Sequence, residues 1–223
     1  MKDRSQPRRR MIARRVLSAA LLAGGMALAS PFGIAGPAEA QAALSSSTAQ
    51  RIADHFSSVK TMTGDFVQIG PTGQQTGGKF FIDRPGKIRF NYDSSSPLKV
   101  VSNGSSVAIG NSRLNTWQLY PLSSTPLKLL LSSRIDLTGT MVKSVKEGPD
   151  LITIVLGDRH VFGDSTITLM FDPTSYALKQ WTITDAQGKD TTVMVYNVQT
   201  GVQLASSLFQ LPSGATRSVS PRQ

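Results

Sequence analysis

The chain holds two histidines, His55 and His160, and no cysteine. Neither histidine has a second nitrogen or a carboxylate at metal-ligand spacing such as H-E-x-x-H, so metal-assisted hydrolysis has no ligand set. His55 stands beside Phe56 in an amphipathic stretch, and His160 follows Asp158-Arg159 in what reads as a hairpin connection; a boundary histidine and a loop histidine are expected. The missing cysteines exclude a thiol nucleophile, a disulfide framework, a Cys-ligated zinc or iron–sulfur cluster, and a lipidated cysteine. Serines gather in turn-like runs, Ser45-Ser46-Ser47 and Ser94-Ser95-Ser96, with no G-x-S-x-G elbow among them. There is no G-x-G-x-x-G fingerprint and no P-loop, so nucleotide sites have no support. Asp83, Asp93, Asp136, Asp172 and Asp185 all neighbour turns, where a carboxylate bonds the local backbone. A two-carboxylate glycosidase stays open, because its pair need not be close in sequence. On balance the residue types favour a binding protein over an enzyme, with no metal and no cofactor.

Such a protein still needs a core. The 223 residues are 39% hydrophobic and 17% charged, which fits one folded domain rather than a disordered chain. The net charge of +10 looks like a nucleic-acid footprint until it is mapped. Residues 1–40 hold seven of the 24 Lys+Arg and two of the 14 Asp+Glu, so half the net charge lies there. Elsewhere the cations are scattered singly, and no nucleic-acid partner is expected. In residues 1–40, cations up to Arg15 precede the apolar run Val16 to Ala29, then Ser30-Pro31 and the tripeptide Ala38-Glu39-Ala40. That is the order of a cleavable secretory signal, and the run is shorter than the roughly 18–20 residues of a spanning helix. Arg14-Arg15-Val16-Leu17 also resembles a twin-arginine motif, although Ser18 fits it poorly. The expected domain is residues 41–223, working outside the cytoplasm, with a polar tail over 212–223.

After that address, Ser47-Thr48 could cap a helix whose Ala49, Ile52, Ala53, Phe56 and Val59 share one stripe. From Met62 the apolar period becomes two, in eleven short segments between Met62 and Val198. Gly77-Gly78, Arg84-Pro85-Gly86, Asn103-Gly104, Gly148-Pro149, Asp172-Pro173 and Gln187-Gly188 punctuate them, with Asn103-Gly104 suited to a type I′ hairpin. Eleven strands without long alternating helices predict an antiparallel meander. Thr125-Pro126 followed by Leu127, Leu129, Leu130 and Leu131 predicts a short apolar helix with a capping threonine. Ile88, Phe90 and Tyr92 alternate on one face, as do Ile167, Leu169 and Phe171, and Trp181 with Ile183. Alternation alone does not separate a filled sandwich core from a ligand cavity.

Several segments, taken in order, resemble the LolA family, periplasmic carriers of outer-membrane lipoproteins. They are Phe66-Val67-Gln68, the run Gly78 to Tyr92 with Asp83-Arg84-Pro85-Gly86 at its centre, Val101-Ser102-Asn103-Gly104, Tyr120-Pro121-Leu122 leading to the leucines, Asp172-Pro173 with Leu178, Trp181, Asp185 and Gly188, and Leu208-Phe209-Gln210-Leu211-Pro212. The resemblance implies a mainly β fold: an incomplete, half-open antiparallel β-barrel of about eleven strands with a helical lid over a hydrophobic cavity. It makes Arg84 a latch whose guanidinium bonds lid carbonyls. Phe66, Phe80, Ile82, Ile88, Phe90, Tyr92, Ile109, Leu169 and Trp181 would line the acyl-chain cavity and its mouth, and Ile52, Phe56, Leu127, Leu130 and Leu131 would form the lid. Implied partners are acylated lipoproteins, an inner-membrane ATP-binding-cassette releasing complex (LolCDE-like), and an outer-membrane LolB-like receptor or the outer membrane itself, with the carrier a monomer in the periplasm. A lipid- or lipoprotein-binding sensory module of the same fold, acting in envelope-stress regulation, is the alternative. One departure is that Val107-Ala108-Ile109-Gly110-Asn111 stands where many members have an aromatic-rich strand.

Overall fold

The computed structural model describes residues 37–135, 141–213 and 215–217, with side chains from Ser47 onward. The signal-peptide reading and Asp136 lie outside these residues, apart from helical backbone from Pro37. Helix α1 (Pro37–Ser58) starts well before the expected Ser47-Thr48 cap, because the alanine-rich run from Ala38 to Ala43 has the strongest helix propensity available. Ala49, Ile52, Ala53 and Phe56 form its buried stripe, as the spacing predicts.

The strands follow: β1 (Thr61–Ile69), β2 (Gln75–Asp83), β3 (Lys87–Tyr92), β4 (Leu98–Asn103), β5 (Ser106–Asn111) and β6 (Thr116–Pro121). A 3-10 turn (Leu122–Ser124) and helix α2 (Leu127–Leu130) interrupt them. Then come β7 (Val142–Glu147), β8 (Ile152–Leu156), helix α3 (Arg159–Phe162), β9 (Thr166–Phe171), β10 (Leu178–Thr184), β11 (Asp190–Thr200), a second 3-10 turn (Ser206–Phe209) and β12 (Thr216–Arg217). All twelve strands make one sheet, ordered β12-β6-β5-β4-β3-β2-β1-β11-β10-β9-β8-β7. Strands β1 to β11 pair antiparallel throughout; only the two-residue β12, in the stretch expected to be a loose tail, adds parallel to β6. The sheet does not close, since β7 and β12 are its two edges.

It does curl. Strands β3 and β10 are four places apart, about 19 Å in a flat sheet, yet the rings of Phe90 and Trp181 have centroids 6.2 Å apart. A bulge in β11, where Asn197 (φ 52°) and Val198 stand opposite the single residue Gly64 of β1, adds local twist at the central β1–β11 pair.

Four local expectations change. The β4–β5 loop is Gly104-Ser105, with positive φ at Gly104, and Asn103 precedes it, its Oδ1 accepting from the Ser105 and Ser106 N–H groups. An asparagine that caps the turn in this way has no need of the left-handed conformation that type I′ demands. Gly77-Gly78 lies inside β2, because both neighbouring strands supply ladder partners there. Thr125 does not cap α2; its hydroxyl donates to the Leu122 carbonyl, 2.9 Å away. His160 sits in α3, whose cap Asp158 accepts from the His160 N–H at 2.8 Å.

Candidate functional site

The curl gathers the alternating apolar residues on one concave face. Register places Ile82 beside Ile88, and Phe80 beside Phe90 and then Val100 and Ile109. Phe66, Phe80, Ile82, Ile88, Phe90, Tyr92, Leu169 and Trp181 are buried there. Phe66 meets Phe90 and Tyr92 edge-on, with centroids 4.8 and 5.1 Å apart. The Tyr92 hydroxyl donates to Gln68 Oε1 at 2.8 Å, and burial pushes its pKa up. Ile109 differs from the others: it is on the same face but 37% exposed, on the wall that lacks the aromatic strand. Ile152, Ile154, Leu156, Ile167 and Phe171 join the same cluster. Their strands alternate as clearly as β3 does, so periodicity alone could have added them.

Two helices cover this face. From α1, Ile52 and Phe56 are buried, and Phe56 meets Phe171 edge-on at 5.6 Å. From the α2 segment, Leu130 and Leu131 are fully buried, while Leu127 is half-buried against the cluster.

Both helices end at the β2–β3 turn. The last carbonyls of a helix have no partner inside it and carry the negative end of its dipole. Arg84, 6% exposed, reaches into that position. Its Nε donates to the Leu130 carbonyl at 3.1 Å, and its Nη1 to the Phe56 carbonyl at 3.3 Å and to the carbonyl of Val59. Its guanidinium carbon lies 3.8 Å above the centre of the Phe56 ring. One side chain therefore caps the ends of two helices at once, which the planar guanidinium fork allows and an ammonium does not. No carboxylate pairs with it among the described residues. Desolvation lowers the Arg84 pKa to about 10, so the group keeps its charge at neutral pH.

The turn backbone adds a second tie that no motif announced. Gly86 N–H donates to the Leu131 carbonyl at 2.8 Å, Arg84 N–H to the Lys60 carbonyl at 2.8 Å, and the buried Ser102 hydroxyl to the Gly86 carbonyl at 2.7 Å. Gly86 has φ 82°, and a Cβ there would lie 2.7 Å from the Gly104 backbone. Gly86→Ala is accordingly expected to cost about 1–3 kcal/mol through backbone strain, seen as a lower denaturant midpoint at unchanged slope.

Residues 57–212 match the family model described as outer membrane lipoprotein carrier protein LolA. An outer-membrane lipoprotein carrier protein of Methylococcus capsulatus is 29% identical over 179 residues, covering 74% of this chain and 84% of the relative. One of Pseudomonas aeruginosa is 24% identical over 185 residues, covering 76% and 86%. Among solved structures, a LolA superfamily protein of Nitrosomonas europaea superposes with a TM-score of 0.40 at 9% identity, covering 73% of this chain and 97% of that one.

Proposed function

The chain belongs to the LolA family of outer membrane lipoprotein carrier proteins, and from that premise we propose that it shields the acyl chains of lipoproteins crossing an aqueous compartment. A triacylated client exposes on the order of 45 methylenes at about 0.8 kcal/mol each, roughly 35 kcal/mol gross, so unassisted diffusion between membranes is negligible. The concave apolar face is the surface that would take those chains. The observation that carries the reading is the cover over it: two helices whose C-terminal ends are tied by one buried guanidinium with no carboxylate partner among the described residues. A cover held by packing and a few charge-assisted bonds, each worth about 1.5–3 kcal/mol, can close over an empty face and open when acyl chains replace it.

On this reading the N-terminal address exports the protein to the periplasm, an inner-membrane ATP-binding-cassette complex loads it, and an outer-membrane receptor or the membrane itself unloads it. The protein carries no catalytic group and works as a monomer. The test is a titration with a hydrophobic fluorescent probe, followed by competition with a purified triacylated lipoprotein. Displacement of the probe at near one-to-one stoichiometry is expected. A folded protein that binds neither would have a permanently closed core, and the carrier reading would be abandoned.

A further inference from the structure

The convex face of the same sheet carries a pocket of about 300 Å³ between β3, β4, β6 and the C-terminal segment. Its lining includes Arg89, Lys99, Val101, Trp117, Gln210 and Pro212. The register explains how these come together. Arg89 pairs with Val101, and Asn91 with Lys99, so the two cations are diagonal neighbours on the outward side of β3 and β4. Lys99 in turn pairs with Gly110 and Gly110 with Trp117, and a Cβ on Gly110 would lie 2.7 Å from the Trp117 ring. The indole therefore lies against a glycine that leaves it room, and its Nε1 donates to Asn115 Oδ1 at 3.1 Å.

The third wall is chain that returns from β11. Phe209 is 3% exposed, and the Leu208 carbonyl accepts from Arg89 Nη1 at 3.0 Å. The Arg89 Nε is taken by Asn91 Oδ1 at 2.6 Å, which leaves Nη2 with no partner among the described residues. Lys99 likewise has none, and no carboxylate pairs with either cation among the described residues. Two neighbouring positive charges, one with a free donor edge, thus flank an apolar floor and an aromatic wall. Like charges at adjacent cross-strand positions repel unless an anion neutralises them. The volume is at the small end for ligand sites, too small for an acyl chain bundle and suited to one compact group.

We propose that this pocket binds a phosphate monoester on a short apolar stem, its dianion between Arg89 and Lys99 and its stem against Val101 and Trp117. The site lies on the opposite face from the lid and does not depend on the carrier reading. The chain's two tryptophans make it directly readable, because Trp181 lies on the concave face and serves as the internal control. The experiment is a titration of the purified protein with hexyl phosphate, following the two indole N–H resonances, assigned with Trp117→Phe. The Trp117 signal is expected to shift saturably while that of Trp181 stays in place.

Lys99→Gln, an outward-facing change on a strand, is expected to weaken binding by about tenfold or more, as loss of a charge-assisted contact does. Arg89→Gln is a poorer probe, since it also frees the Leu208 carbonyl. Absence of a saturable shift overturns the assignment, as would an unchanged affinity in Lys99→Gln. Inorganic phosphate binding as tightly as hexyl phosphate also overturns it, because the apolar floor would then have no part. Flotation with phosphatidylcholine vesicles containing phosphatidic acid separates two sources of the same chemistry. Lys99-dependent flotation assigns the site to a lipid headgroup; hexyl phosphate binding without flotation assigns it to a free phosphoester.

Discussion

Arg84→Leu is expected to leave the protein folded and able to take up an acylated client, while hand-over of that client to the outer membrane falls steeply. The stability half follows from the cost of the native arrangement. A base whose pKa burial lowers to about 10 on folding is a charge that the folded state disfavours, because it has lost its water. The sign agrees with linkage: the unfolded chain holds its proton to higher pH, so this cost lessens only as pH rises through the folded value of about 10. Leucine removes the buried charge, and the losses are the bonds to the carbonyls of Leu130, Phe56 and Val59 and the contact with the Phe56 ring. The gain offsets part of the loss, so the fold survives, and the remainder of the loss falls on closure of the helices over the sheet.

The functional half follows from where those bonds are. They favour the closed, empty protein, so their loss makes the loaded state relatively more stable and release less favourable. With two or more charge-assisted bonds lost, transfer is expected to drop by about tenfold or more. The measurement is transfer of a preloaded lipoprotein to outer-membrane vesicles, alongside a thermal melt. Undiminished transfer would remove Arg84 from the mechanism. Arg84→Lys should resemble Arg84→Leu in transfer, because one ammonium cannot reach the ends of both helices in the same geometry.

The second large effect separates cover from wall. Leu130 and Trp181 are both buried, but Leu130 lies on α2 and Trp181 within the sheet on β10. Leu130→Ala should lose about 2–5 kcal/mol of packing and Trp181→Ala about 3–5 kcal/mol. If the helices can lift as a unit, the first loss falls on closure rather than on global folding. Leu130→Ala is then expected to bind a hydrophobic probe severalfold more tightly than the parent protein, with a smaller drop in global midpoint than Trp181→Ala. Equal drops, with no rise in probe affinity, would mean that cover and sheet unfold as one and that no lid exists.

The antiparallel meander, its strands and the two apolar helix stripes were legible in sequence because each is a local pattern. A period of two in β3 or β9, and of three to four in α1, follows from backbone geometry alone. Turn chemistry was less legible at Asn103-Gly104, where a side chain capping the next residues competes with the type I′ conformation. The start of α1 was missed because a good N-cap at Ser47-Thr48 is overridden by alanines that carry the helix further. Gly77-Gly78 misled in the opposite direction: pairing with strands on both sides offsets the low β-propensity of glycine.

What the sequence by itself determined is the class of object: a mainly β fold of antiparallel strands with alternating apolar faces and a few helices. Those properties reside in residue types and short spacings. Only the tertiary structure decided that Arg84 caps two helices from chain segments on either side of it, that Ile109 is the exposed member of the concave face, and that Arg89 and Lys99 share an outer pocket with Trp117. Each of these depends on register across strands and on the curl of the whole sheet. Both are set by the sum of many pairings, and no segment carries that sum alone.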